Sequence, residues 1–533
     1  MLEAIKNRWV LLLVLAVFII AKIPALHYPF YWDESWSYAP AIKLMYAHGP
    51  SLMPNAIDLG YSRGHPLLFY ASAASWMKLF GDSHVAQHSF SLFISCLLLI
   101  TVYEGCYTLF NKRMAVISLL LVATQIIFFV QSTLLLPEVM VAWLSLLSLY
   151  NYATQRHLFT FLSCTALMLT KESGLTMGMV LGIHAVWNMF NKEEPIKNRV
   201  MNLASIAGAS LVIGLFFLLQ KKLNGWYLFP EHTGLIDLSW KMFKGKMRFC
   251  IEIIFAHQYR LFTFGLLIPA SIMTAILKRN ASYILPAILG IVLLVIGGDY
   301  LGILTRRLLL PAALVLFFYT FYRLLKQNSD NKNSSRFIYL SIFFFAAYLS
   351  FSCLNFFTNR YLFSILVVAL ILAGYCIDIF LSGTKQIMTY ITIAVISIVS
   401  GLAFKNNTGA GDVDLSIYSS MEVQEDIVTY LEQQHLYDRY ISAHSSLQRE
   451  HLTKPLTGFL HSPKVFGRVN YCIAPTTEFV IIDNIEVDTT LNIEQLRSDF
   501  TPVKRFEKGE VWIELLQRKA NHGVDSSTYR PKL

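Results

Sequence analysis

The sequence predicts a polytopic α-helical membrane protein, with about thirteen transmembrane helices and juxtamembrane helices on one side, followed by a small C-terminal α/β soluble domain. Three observations carry that prediction. Of the 533 residues 55% are hydrophobic and only 15% are charged, where soluble domains carry about 25% charged residues. Apolar runs of helix length recur as far as residue 404, and the bilayer core offers no water to backbone groups, so such runs cross it as helices of about 20 residues. Beyond Lys405 the pattern turns polar. This composition excludes a disordered chain and a nucleic-acid-binding domain. The formal charge of +10 is no argument for a nucleic-acid partner, because polytopic proteins collect cations in cytoplasmic loops for topological reasons.

The first run, Trp9 to Leu26, follows Lys6 and Arg8 and has no small-x-small cleavage site. An uncleaved anchor with its N-terminus inside is expected, a cleaved signal peptide being the alternative. Further runs lie at about 88–109, 114–133, 137–154, 158–170, 174–190, 200–220, 251–277, 281–297, 308–325, 337–354, 361–381 and 386–404. With the N-terminus inside, the loops at 111–113, 155–157, 191–199, 278–279, 323–336 and Lys385 are cytoplasmic, and each contains Lys or Arg. That parity places 405–533 outside. The outer side also holds cations, from Lys221 to Arg248 and at Arg306, Arg307 and Arg360. They either mark a miscounted span or face something anionic there.

The chain therefore divides into a transmembrane part, 1–404, with outer loops 27–87 and 221–250, and an extracytoplasmic part, 405–533. Trp36, Tyr38, Tyr46, Tyr61, Tyr70 and Trp76 punctuate the first outer loop, the composition of helices lying in the membrane interface. Asn406 to Asp414 is a polar, Gly-bearing linker. Apolar residues at 423, 427, 428 and 431 predict a helix over 421–435, and 478–483 and 511–515 read as strands. Of the seven cysteines, Cys96, Cys106, Cys164, Cys353 and Cys376 lie in apolar runs as small packing residues; Cys472 is alone in the polar C-terminal part, which therefore has no internal disulfide.

The sharpest chemical signal is Tyr31-Trp32-Asp33-Glu34-Ser35-Trp36, just outside the first span. Two adjacent carboxylates between aromatic rings are costly to desolvate, and their repulsion tends to raise one pKa, which suits a general base; the plain alternative is a helix start with acids favoured by the macrodipole. Glu138 follows Pro137 at the outer start of the fourth span. It is either a helix-start acid or a ligand for a cation or a sugar hydroxyl. Arg63 and His65 have the chemistry to grip a phosphate, and Lys171, between two short apolar runs, needs an anionic partner. Arg306, Arg307, Arg360 and Tyr361 sit at outer ends of spans, where guanidinium forks either bind phosphate oxygens or merely snorkel. Glu231-His232 has metal-ligand residue types without the HExxH spacing, a weak metal signal.

Taken in order, the acid pair Asp33-Glu34, His65-Pro66-Leu67-Leu68 with Lys78-Leu79-Phe80-Gly81, Glu138, Leu169-Thr170-Lys171-Glu172, Asn359-Arg360-Tyr361 and the soluble tail resemble the GT-C glycosyltransferases, in the branch of bacterial protein O-mannosyltransferases and aminoarabinose transferases. The resemblance covers about residues 5–400. It implies transfer of a sugar from a polyprenyl-phosphate carrier to an acceptor hydroxyl, on a protein, lipid or glycan, at the outer face of a bacterial inner membrane. It makes Asp33 the base, Glu34 its neighbour in the acceptor site and Glu138 the second family acid, although the family often has Asp there. His65 falls where relatives carry Lys or His, and Tyr361 where a relative places a carrier-binding Tyr. Relatives of this class include metal-dependent and metal-independent enzymes, so no cofactor is assigned and a divalent cation stays open. Two other readings compete: a transporter or lipid flippase, which calls for ionisable residues near mid-membrane and paired repeats, neither of which is visible, and a non-catalytic scaffold displaying 405–533.

Overall fold

The computed structural model describes residues 2–260 and 331–519, apart from 357, 383, 385, 408, 410, 444 and 487–492. The expected runs at 281–297 and 308–325, and most of 251–277, lie outside the described residues. The membrane part contains α1 (Leu2–Lys22), α2 (Ala39–His48), α3 (Leu68–Phe80), α4 (His84–Leu109), α5 (Lys112–Ala123), α6 (Glu138–Ala153), α7 (His157–Thr170), α8 (Leu175–Asn188), α9 (Ile196–Asn224), α10 (Trp240–Phe255), α11 (Lys332–Leu354), α12 (Phe363–Leu381) and α13 (Gln386–Lys405). Among the described residues five helices are long and apolar enough to cross a membrane, those at 84–109, 196–224, 332–354, 359–381 and 386–405. The protein is thus a multi-pass membrane protein.

Burial sorts these helices. Helix α6 is buried on every side except at Trp143 and Leu147, and α12 is almost wholly buried, as expected of helices apolar all round that occupy a core. Around them α4 packs on α5 and α6, α7 on α6 and α9, and α11 on α8, α10 and α12. Helix α13 is as apolar but buries only Ile396 and Ala403, which leaves its side chains to lipid. The run expected as one span at 114–133 is broken: α5 stops at Ala123, and a separate short helix, Ile126–Gln131, follows. The extended Gln125 between them turns its side-chain amide back onto the Leu121 carbonyl at 2.8 Å, satisfying a group the broken helix would leave open. At the other end of α5, Asp378 of α12 accepts from Arg113 Nε (2.6 Å) and Asn111 Nδ2 (2.7 Å).

The C-terminal part has helix α14 (Ser416–Gln433) on a five-stranded mixed sheet of order β2-β1-β3-β5-β4, with β1 (Ile441–Ala443), β2 (Val469–Asn470), β3 (Phe479–Asp483), β4 (Phe500–Lys508) and β5 (Val511–Arg518). β1 runs parallel to β2 and β3, while β3–β5 and β4–β5 are antiparallel. Gly509 supplies the positive φ (62°) of the β4–β5 hairpin turn. The helix and two strands expected from sequence are present; β1, β2 and β4 are additional. β4 escaped because its residues are mostly exposed and show no apolar alternation. This part is tied to the first outer loop: Tyr28 Oη donates to Glu422 (2.7 Å) and the Phe30 amide to the Thr457 carbonyl (2.8 Å).

At the end of β3, burial pushes the Asp483 carboxyl from its ordinary 3.8 up to about 6. It accepts from the Ile485 and Glu486 amides and from Gln448, whose Oε1 is buried without a partner. A carboxyl whose folded pKa is raised contributes stability that is complete below pH 3.8 and lost as pH rises through about 6. Asp483→Asn removes the charge, and a turned Gln448 amide can accept from the new amide. The variant should gain on the order of 1–2 kcal/mol over the parent at pH 7.5, a gain that disappears at pH 4; thermal melts in detergent at the two pH values check this.

Candidate active site

Pro24–His27 closes the first helix with a 3₁₀ turn, and after Trp32, in the left-handed region (φ 55°), a π-helical turn runs from Glu34 to Tyr38. Successive residues of a helical turn point about 100° apart, so the two acids diverge. Asp33 faces a cavity of about 680 Å³, within the range of roughly 300–1,000 Å³ usual for small-molecule sites. Its Oδ1 accepts from Trp36 Nε1 at 3.0 Å, and its Oδ2 pairs with Arg360. Glu34 is fully buried away from that cavity. It accepts from the Leu135 amide and, at 3.3 Å, the Tyr31 amide, with His88 Nε2 3.3 Å away. The structure therefore does not bring Glu34 into the cavity beside Asp33; it fastens the first outer loop to the turn before α6.

Glu138, the first residue of α6, lines the cavity and receives Lys171 Nζ at 2.8 Å. Its other oxygen is buried without a partner. Lys171 ends α7 in extended conformation and lies 4.0 Å over the Tyr361 ring. Burial works against its ammonium, but Glu138 and Tyr361 prevail and hold Lys171 above the ordinary lysine range. Arg360, in the 3₁₀ turn before α12, is only 2% exposed; it pairs with Asp33 and Asp412, and its Nε is 3.6 Å from Glu138 Oε1. Asp412 belongs to the polar linker and was not singled out from sequence. A lone acid between Gly411 and Val413 carries no signal until the fold returns it to Arg360.

The opposite wall joins Arg63, His65, Glu172 and the 221–250 loop. Arg63 (φ 46°) and Gly64 (φ 71°) form a left-handed pair. A Cβ on Gly64 would stand 2.7 Å from the Trp226 ring and 3.1 Å from Phe229 Cβ, so only glycine permits this close approach. Arg63 pairs with Glu231 at 2.9 Å and lies over the Trp36 ring. His65 Nδ1 meets Glu172 Oε2 at 2.6 Å, with the His232 ring 5.0 Å from the His65 ring. Burial of Glu172 opposes its charge, yet His65 holds it below the ordinary carboxylate range, while burial and then His65 push His232 down to about 4. The Asp237 amide donates to the Leu354 carbonyl (2.9 Å), fixing the loop to the end of α11. Arg306 and Arg307 lie outside the described residues.

Residues 64–217 match the family model described as dolichyl-phosphate-mannose-protein mannosyltransferase. That stretch holds His65, Glu138 and Lys171 and excludes Asp33 and Arg360. The fold matches the crystal structure of ArnT from Cupriavidus metallidurans bound to undecaprenyl phosphate, with TM-score 0.51 and 12% identity over 96% of this chain and 98% of that one. The apo crystal structure of the same protein gives 0.50 and 13% over the same shares. No curated protein matches the sequence. The chain is thus similar to the protein mannosyltransferase model over residues 64–217 and shares the fold of ArnT along nearly its whole length.

Removing one member of a buried ion pair strands the other. Lys171→Met should therefore cost about 2–4 kcal/mol, and Lys171→Met with Glu138→Gln should recover part of that loss. Thermal midpoints of the parent, both single variants and the double variant complete the cycle.

Proposed function

We propose that the cavity transfers a sugar from a polyprenyl-phosphate carrier to an acceptor hydroxyl, with inversion at the anomeric carbon. The observation that carries this reading is the convergence on one cavity of Asp33, the buried cation Lys171 with its partner Glu138, and Tyr361, with Arg360 bonded to Asp33 behind that wall. A phosphate leaves without protonation, so one base is enough, unlike glycoside hydrolysis with its acid and base pair. Asp33 removes the acceptor proton as the oxygen attacks. Lys171 stabilises the charge that grows on the phosphate, and Arg360, expected to bind the carrier, instead lies behind the wall and holds the Asp33 carboxylate toward the cavity. Arg63, His65 and Tyr361 complete the wall on the carrier side. The exposed apolar residues Leu228, Leu235, Ile236, Phe351 and Phe356 on the cavity rim suit an isoprenoid chain. Glu138 sets the position of Lys171, and Glu34 acts through the loop it anchors rather than on substrate.

This reading places the chain in a bacterial inner membrane with about thirteen spans, the N-terminus cytoplasmic, 1–404 as the transferase part and 405–533 as an extracytoplasmic α/β domain, with the acceptor a protein, lipid or glycan. A transporter is not favoured, because the acids that line the cavity, Asp33, Glu138, Glu172 and Glu231, lie in turns and at helix starts. In purified protein supplied with a labelled polyprenyl-phosphate sugar and acceptor, Asp33→Asn should lower release of polyprenyl phosphate by about 10²–10⁴ while carrier binding persists. Parental turnover in that variant overturns the assignment.

A further inference from the structure

We propose that His65, Glu172 and His232 form a binding site for one divalent transition-metal ion of the zinc type. Their ligand atoms all lie within 4.8 Å of one another, and the three residues line the same cavity. Two imidazoles and one carboxylate are a ligand set that suits zinc and leaves a fourth position for water. The 2.6 Å contact between His65 Nδ1 and Glu172 Oε2 gives way to the ion, and because only a neutral imidazole ligates a metal, binding weakens as pH falls.

Local charge favours this assignment. The two cations nearest the triad are already neutralised, Arg63 by Glu231 and Lys171 by Glu138, so the Glu172 charge remains for the ion. The ligands also come from three separate stretches: the turn before α3, the turn after α7, and the short helix Pro230–Gly234 in the 221–250 loop. An ion there fixes that loop against the cavity wall. The sequence motif Glu231-His232 thus contributes one ligand, with Glu231 engaged by Arg63 instead.

Metal loading is read without turnover, so its test separates from that of the transferase reading. Tag-free protein is incubated with zinc chloride, desalted and analysed for metal. The parent and Asp33→Asn should each retain one zinc per chain, and His232→Ala and Glu172→Gln should lose it. Zinc should raise the thermal midpoint of the parent and leave that of His232→Ala unmoved. Should the variants fold poorly, Co²⁺ added to the parent should give the intense visible bands of tetrahedral coordination. A parent that retains no stoichiometric zinc and shows no tetrahedral cobalt spectrum, or a folded His232→Ala that loads as the parent does, overturns the proposal.

Discussion

A charge buried in protein must meet an opposite one, and Arg360 is where this chain obeys that constraint at greatest length. The guanidinium is 2% exposed and meets Asp33 from the start of the chain and Asp412 from the linker beyond the last span. Glu138, a neighbour of the same guanidinium, holds Lys171 on its other side. Three carboxylates from three distant stretches thus share two buried cations, and the register of the helices that carry them follows. The first outer loop and the linker thus meet at one buried guanidinium, which each supplies with a carboxylate.

The neutral parts of the cavity follow from close approach rather than charge. Trp226 and Phe229 reach the wall because Gly64 has no Cβ, and the loop is fixed at its far end by the Asp237 amide. Polar groups therefore lie on the inner walls, while apolar side chains of the same loop remain at the rim.

Much of this was legible in sequence, for physical reasons. The bilayer requires every spanning backbone group to be paired internally, and that leaves a length and composition signal that places α4, α9, α11, α12 and α13 within a few residues. The acid pair, Glu138, Lys171 and Arg360 stood out because ionisable residues at the edge of apolar runs need partners. What stayed hidden depended on direction or on distance along the chain. Adjacent acids on a helical turn separate by rotation, so no pattern shows that Asp33 faces the cavity and Glu34 does not. Asp412 is an ordinary linker acid until tertiary structure brings it back. The break at Gln125 hides in a continuous apolar run, and β4 presents a polar strand to solvent with nothing to distinguish it from a loop.

The attachment of the C-terminal part, through Glu422 to Tyr28 and through Thr457 to Phe30, gives the tail a grip on the loop that bears Asp33. The C-terminal part therefore helps to set the posture of that loop. Tails exchanged between chains of this architecture carry with them part of the support of the Asp33 loop, so changes in the tail and changes at the candidate site are coupled by construction.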